Sequence, residues 1–298
     1  MPQDTYSRSV VVTGVSSGIG RGVVKHLGSK GIHVFGSVRK QVDADRLCAE
    51  FSTNFTPLVF DVTDEARVRD AADTVRAALK GQTLFGLVNN AGIALPGPVL
   101  HQTVKDFRAQ IEVNLIGAFA VTQAFAPLLG ADRTLQGKPG RIINITSLGG
   151  RIGSPFLSGY CAAKHGLEGL SESLRRELML YGIDVIIIGP GAVKTPIWDK
   201  AEQMDTSLYE STDYAVPFKK FADYLTAGGR DGLPVAAVGD AVYRALTATR
   251  PRTRYALAPS LLFDWMLPTT LPKRWVDRLF AQRLGLSRDS LPPSFPSD

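Results

Sequence analysis

The chain has 298 residues, 44% of them hydrophobic, with a formal net charge of +6 and two cysteines. That length suits one large α/β domain or two small ones, and it can bury a sizeable core. The scattered basic residues argue against nucleic acid, no apolar run of about 18 residues announces a membrane span, and residues 1–8 lack the apolar stretch of a signal peptide.

An apolar strand at 10–12 leads into Thr13-Gly14-Val15-Ser16-Ser17-Gly18-Ile19-Gly20. Such a glycine-rich turn lets the backbone approach a pyrophosphate, and the free N–H groups of the next helix, predicted at 21–31, then face the phosphates. A second strand is expected at 32–38, a short helix at 44–51 and a third strand at 56–60. Thr63 is expected to cap a helix at 64–79. A fourth strand at 84–88 precedes a long helix at 104–129. A fifth strand at 141–146, a helix at 160–180, a sixth strand at 184–188 and a seventh at 255–258 complete the series. Cys48 and Cys161 fall on different predicted helices, which points to reduced thiols and a cytosolic setting. Strands alternating with helices imply a doubly wound parallel sheet in three α/β/α layers. No repeat or low-complexity linker divides it, so one domain is expected. The glycine loop, Asp61, Asn89, Ser147 and Pro190 all follow strands, and ligands of such sheets bind there.

Tyr160 and Lys164 stand four residues apart on one predicted helix, so they share a face. An ammonium beside a phenol lowers the phenol pKa toward neutrality, where it can exchange a proton with a carbonyl or alcohol oxygen. His26, His33, His101 and His165 show no metal-ligand spacing, so no metal is expected. His165 reads as structural and Cys161 as a buried, inert thiol.

Together these residues resemble the classical short-chain dehydrogenase/reductase family over roughly residues 8–260. The resemblance implies a Rossmann-like fold and an enzyme exchanging hydride between a nicotinamide cofactor and a carbonyl or secondary alcohol. It implies a catalytic set of Asn114, Ser147, Tyr160 and Lys164. In that set Ser147 holds the reacting oxygen, Lys164 also binds the nicotinamide ribose, and Asn114 holds a water that returns the proton through Lys164. Cofactor contacts are implied for Gly14, Ser16, Ser17, Gly18, Ile19 and Gly20. Asp61 and Val62 would hold the adenine, with Asn90, Ala91 and Gly92 following the fourth strand. Pro190, Gly191, Val193 and Thr195 would clasp the nicotinamide. After the second strand Val38 stands where an NAD enzyme carries an acid, and Arg39 with Lys40 suits a 2′-phosphate. NADP(H) is therefore expected, with NAD(H) as the alternative.

Residues 196–232 interrupt the alternation and carry Trp198, Met204, Tyr209, Tyr214, Phe218, Phe221 and Tyr224. In the family this insert covers the substrate; the aromatics can equally pack the insert onto the core. Residues 261–286 form an amphipathic segment broken by Pro268 and Pro272. It can cap the site, pack on the domain, contact a second subunit or lie on a membrane surface; residues 292–298 are expected to be disordered. The extended tail resembles the hydroxysteroid and retinol dehydrogenase branch and points to a lipophilic substrate. The alternatives are a reductase of small ketones or acyl carbonyls, a non-enzymatic NADPH-binding regulator, and a structural subunit of a mixed oligomer. The resemblance also implies a homodimer or homotetramer paired through helices 104–129 and 160–180.

Overall fold

The computed structural model describes residues 8–195 and 207–288. Its strands are β1 (Ser9–Val12), β2 (His33–Val38), β3 (Phe55–Val59), β4 (Gly86–Asn89), β5 (Arg141–Ile145), β6 (Asp184–Pro190) and β7 (Arg254–Leu257). They form one parallel sheet of seven strands in the order β3-β2-β1-β4-β5-β6-β7. The helices between them are α1 (Gly18–Ser29), α2 (Gln41–Phe51), α3 (Glu65–Leu79), α4 (Val104–Ile111), α5 (Gly117–Phe125), α6 (Ser158–Glu177), α7 (Ala215–Arg230) and α8 (Val235–Thr247).

Period-two alternation explains the layering. Val10 and Val12 pack with Val23 and Leu27 of α1 and with Val238 and Val242 of α8. Val11, between them, faces the other way, toward Val75 of α3, Phe125 of α5 and Leu174 of α6. Both faces are thus dry, as the near-continuous apolar strands require. The strand order reverses between β1 and β4, and the crevice at their carboxyl ends is the ligand position of such sheets.

Three expectations are corrected. Asp64, not Thr63, caps α3: its carboxylate accepts from the Arg67 N–H, while the Thr63 hydroxyl donates to Asp61. The 104–129 helix is not one regular rod. A π turn at Glu112–Ile116 separates α4 from α5, and Ala126–Leu129 tightens into 3-10 geometry. This stretch is also long and apolar enough to cross a membrane by length and composition. Its Val121, Phe125, Leu128 and Leu129 are buried against the sheet, so one face of the stretch packs on the core. Finally, α1 begins at Gly18 inside the glycine loop, three residues before the expected start, so the loop delivers the helix N-terminus directly.

After β7 the chain forms a π turn (Leu262–Met266), α9 (Leu267–Thr270) and α10 (Lys273–Leu284). Leu284 of α10 is buried with Phe156, Phe218 and Phe221, so part of this segment packs on α7. Leu262, Phe263, Met266, Trp275 and Leu279 stay exposed. The expected disorder at 292–298, and Trp198 and Met204 of the insert, lie outside the described residues.

Candidate active site

Backbone geometry builds the first half of the site. Gly14 and Gly18 sit at φ +69° and +56°, the left-handed region that side chains disfavour. A Cβ on Gly14 would lie 2.8 Å from Ala91 Cα, and one on Gly20 would strike the Gly14 carbonyl. The loop after β1 therefore lies directly against the loop after β4. Thr13 and Asn90 stitch the two together. The Thr13 hydroxyl accepts from the N–H groups of Asn90 (2.9 Å) and Ala91 (3.0 Å), and Asn90 Nδ2 donates to the Thr13 carbonyl (2.8 Å). Ser37 Oγ accepts the Gly14 N–H at 3.0 Å, and Arg46 of α2 donates to the Ser16 carbonyl at 2.7 Å. Thr13, Ser37 and Arg46 were not among the expected site residues. Thr13 heads the glycine-rich loop read from the sequence, Ser37 is a polar residue within an apolar strand, and Arg46 carried no signal.

Ser17 caps α1 with no side-chain hydrogen bond, and no acid lies in the first turn. The N–H groups there remain free for phosphate oxygens. Val38 is 2% exposed and belongs to the core, so Arg39 is the first exposed side chain past β2, followed by exposed Lys40. No acid occurs between Phe35 and Gln41. One oxygen of Asp61 is bound by the Thr63 N–H and hydroxyl, which orients the carboxylate at the end of β3, and Val62 beside it is buried. Thr195 lies 3.6 Å from the Cβ position of Gly18, which brings the segment after β6 over the glycine loop. Pro190 ends β6, the Gly191 N–H bonds the Leu257 carbonyl at 2.7 Å, and Val193 is buried and bridges to Leu233. A glycine cradle, an uncapped helix N-terminus and a basic rim fit a dinucleotide.

The second half of the site gathers all four expected catalytic side chains. Ser147 lies at the end of β5, where Oγ accepts the Gly149 N–H (3.0 Å) and is hydrogen-bonded to Tyr160. It is thus both a turn cap and a partner of the phenol. Lys164 is 4% exposed; its Nζ donates to the Ile145 carbonyl at 2.9 Å and lies 5.8 Å from the Tyr160 ring centroid. Asn114 sits in the π turn. Its Oδ1 accepts the Ile93 N–H and its Nδ2 donates to the Ile93 carbonyl, each at 2.8 Å. A regular helix would aim this side chain differently; the inserted residue turns it onto the loop after β4.

The electrostatics correct one expectation. Tyr160 is not lowered by Lys164: burial pushes the phenol above its ordinary value, offset in part by the Ser147 hydrogen bond. Burial also pulls the Lys164 ammonium down to about 8. An enclosed site disfavours both charged forms. The Asn114 side chain spends one acceptor and one donor position on the Ile93 peptide and keeps one of each. Cys161 is buried with its thiol pushed up by that burial, and His165 Nδ1 bonds the Cys161 carbonyl at 2.8 Å. Among the described residues no group of His, Cys, Asp and Glu could hold a metal ion.

An aromatic cluster forms around Phe156, in the segment that joins Ser147 to Tyr160. Phe156, between Ser147 and Tyr160, is held at φ +64°, unusual for so bulky a residue. Its ring meets those of Phe218 and Phe221, each at 5.3 Å, and Tyr214 at 6.0 Å. Phe218 and Phe221 are fully buried, so they pack the insert onto the domain. Tyr209 and Tyr214 are half-buried and meet His101 at 5.9 Å, on the loop after β4.

Known proteins resemble this chain in sequence and fold. Residues 8–206 match the family model for short chain dehydrogenases. An NADPH-dependent 3-dehydrocapnine reductase of Ornithobacterium rhinotracheale is 38% identical over 277 residues, 93% of this chain and 97% of that protein. Retinol dehydrogenase 16 of Homo sapiens is 34% identical over 284 residues, covering 91% of this chain and 86% of its own. The crystal structure of a short-chain dehydrogenase from Streptomyces avermitilis superposes with a TM-score of 0.71 at 26% identity, over 95% of this chain and 97% of that one. With the glycine cradle and the Ser–Tyr–Lys cluster at one sheet edge, the chain belongs to the short-chain dehydrogenase/reductase family.

Proposed function

We propose that this enzyme uses NADP(H) to interconvert a bulky, apolar carbonyl compound and the corresponding alcohol. The observation that carries the reading is the cluster at the end of β5, where Ser147 Oγ and the Tyr160 ring both lie 3.4 Å from the Gly149 Cβ position and the buried Lys164 Nζ lies 5.8 Å from the Tyr160 ring centroid. The bound nicotinamide would supply or accept the hydride. Tyr160 gives its proton to the carbonyl oxygen, and its raised pKa keeps the phenol protonated at neutral pH, which favours reduction. Ser147 hydrogen-bonds the same oxygen and stabilises its developing charge. Lys164, titrating at about 8, can return a proton to Tyr160 near neutral pH. Asn114 Oδ1 and Lys164 Nζ both lie beside Gly92, at 2.9 and 3.6 Å from its Cβ position, so a relay water near Gly92 would connect them.

Exposed Arg39 and Lys40, without a nearby acid, support the 2′-phosphate cofactor, and the reductase at 38% identity is NADPH-dependent by name. The retinol dehydrogenase relatives and the aromatic wall of Tyr209 and Tyr214 support a lipophilic substrate. We extend the proposal to a homodimer or homotetramer. Phe107, Ile116 and Phe119 are exposed on the 104–129 segment, an apolar face suited to a second copy; light scattering that returns a monomer refutes it. A cytosolic setting fits the two free thiols.

The test is NADPH oxidation against a carbonyl panel of ketosteroids, retinal, long-chain ketones and small ketones. Turnover of the bulky members supports the proposal. Turnover of small ketones alone selects the alternative substrate class. Tight NADPH binding with no turnover across the panel selects a cofactor-sensing role.

A further inference from the structure

Helix α6 places Tyr160, Lys164 and Glu168 on one stripe, each four residues from the next. All three meet the end of β5. Tyr160 bonds Ser147, Lys164 bonds the Ile145 carbonyl, and Glu168 Oε1 accepts the Thr146 hydroxyl at 2.8 Å. The first two contacts belong to the chemistry; the third has no part in it. Glu168 is 5% exposed, and a carboxylate so buried requires a partner. Arg254 of β7 supplies it through Nε, at 3.3 Å from Oε1 and 3.1 Å from Oε2, and through Nη2, at 3.0 Å from Oε1.

The pair sits in a space kept open by glycine. A Cβ on Gly189, next to Pro190, would lie 2.5 Å from Arg254 Nη2, and one on Gly150 would lie 3.2 Å from Glu168 Oε1. Gly150 belongs to the turn that Ser147 caps. The pair therefore touches the Ser147 turn, the catalytic helix and the strand end before the nicotinamide segment. Beyond it lies Trp265, in the π turn after β7, with Arg254 Cζ 3.9 Å from its ring centroid. That stacking holds the guanidinium from its far side.

We propose that Glu168 and Arg254, with Trp265 stacked on the guanidinium, are positioning residues that set the Ser147–Tyr160–Lys164 geometry and couple it to the segment after β7. Removing Arg254 leaves an uncompensated buried carboxylate one helical turn from Lys164. The helix must then shift or the carboxylate must take a proton, and either displaces the groups that share the β5 end.

The kinetic arm of the test rests on the hydride-transfer reading; the exchange arm does not. Arg254→Met, Glu168→Gln/Arg254→Met and Trp265→Leu are compared with the wild type as full chains with NADPH. Phenanthrenequinone and retinal serve as probe carbonyls, and amide hydrogen exchange is followed by mass spectrometry. Arg254→Met is expected to lower kcat about tenfold with NADPH affinity within about twofold, the pattern of misplaced reacting groups. The double variant recovers part of the loss, because a neutral amide still accepts the Thr146 hydroxyl. Trp265→Leu lowers kcat about threefold, and Trp265→Phe restores it by keeping a stacking face. In Arg254→Met and Trp265→Leu alike, exchange rises at 145–150 and 160–168 while β1 and β2 stay protected.

An unchanged kcat in folded Arg254→Met overturns the proposal. So does an exchange change confined to 254–266, or a fall in kcat that only tracks the folded fraction. If Arg254→Met does not fold, Trp265→Leu decides, since it leaves the ion pair in place. If the wild type reduces neither probe, the kinetic arm uses the member of the carbonyl panel that turns over; if none does, the hydride-transfer reading fails and the exchange pattern alone decides the positioning role.

Discussion

The two halves of this site are built by different means. The cofactor half is backbone: glycines at φ +69° and +56°, an uncapped helix N-terminus, and loops after β1 and β4 in van der Waals contact. The proposed substrate side is side chain: Phe156, Tyr209, Tyr214, Phe218 and Phe221, packed ring against ring. A backbone cradle tolerates few residue types at each position, so the cofactor chemistry is narrow. A wall of rings tolerates many shapes, so the fold can keep its reaction while its substrate changes.

The contrast can be broken in four places. The largest expected effect is Tyr160→Phe, which removes the proton donor and should lower kcat about a thousandfold while NADPH affinity stays unchanged; fluorescence titration and steady-state kinetics check both. A comparable fall in NADPH affinity would mean that the two halves are not separable. Next is Phe218→Ala, a fully buried ring whose loss should cost about 3–5 kcal/mol of stability. Denaturant unfolding measures it, and the comparison predicts altered substrate preference with intact cofactor affinity. Arg39→Ala should weaken NADPH about tenfold and leave NADH nearly unchanged, because only the 2′-phosphate needs the guanidinium; equal losses for both cofactors would remove the basis of the NADP(H) assignment. The smallest effect is in pH. Lys164 is held at about 8, so its protonated fraction falls as pH rises through that value. NADPH-driven reduction should be level from pH 6 to 7.5 and decline by roughly threefold to tenfold by pH 9, with alcohol oxidation rising over the same interval. A flat profile would mean that Lys164 does not titrate in the working complex.

The features legible in the chain were local. The Tyr160–Lys164 spacing, the glycines from Gly14 to Gly20 and the apolar strands report contacts within a few residues, or a backbone only glycine adopts. The parallel sheet could be read from alternation alone. The features that were not legible depend on distance or on a single inserted residue. Glu168 and Arg254 are 86 residues apart, and nothing near either announces the other. The π turn under Asn114 leaves the apolar pattern of the 104–129 helix intact, so the sequence reads as one rod. Asp64 and Thr63 are adjacent and both are good caps; the geometry at Asp61, which engages the Thr63 hydroxyl, decides between them. The direction of the Tyr160 shift depends on enclosure, a property of the whole fold.

The stripe of Tyr160, Lys164 and Glu168 against three consecutive residues of β5 and its end has a consequence for how this chain can vary in length. Each added helical residue rotates the rest of the helix by about 100°. An insertion or deletion between 160 and 168 would therefore turn at least one of the three contacts away from the strand, and no rotamer change could restore it. The stretch from 151 to 155, by contrast, is held by bonds to Leu148 and to the Cys161 thiol, and it can lengthen or shorten as long as both ends keep their places. Length variation in this molecule should accumulate in such connections and stop abruptly before Ser158.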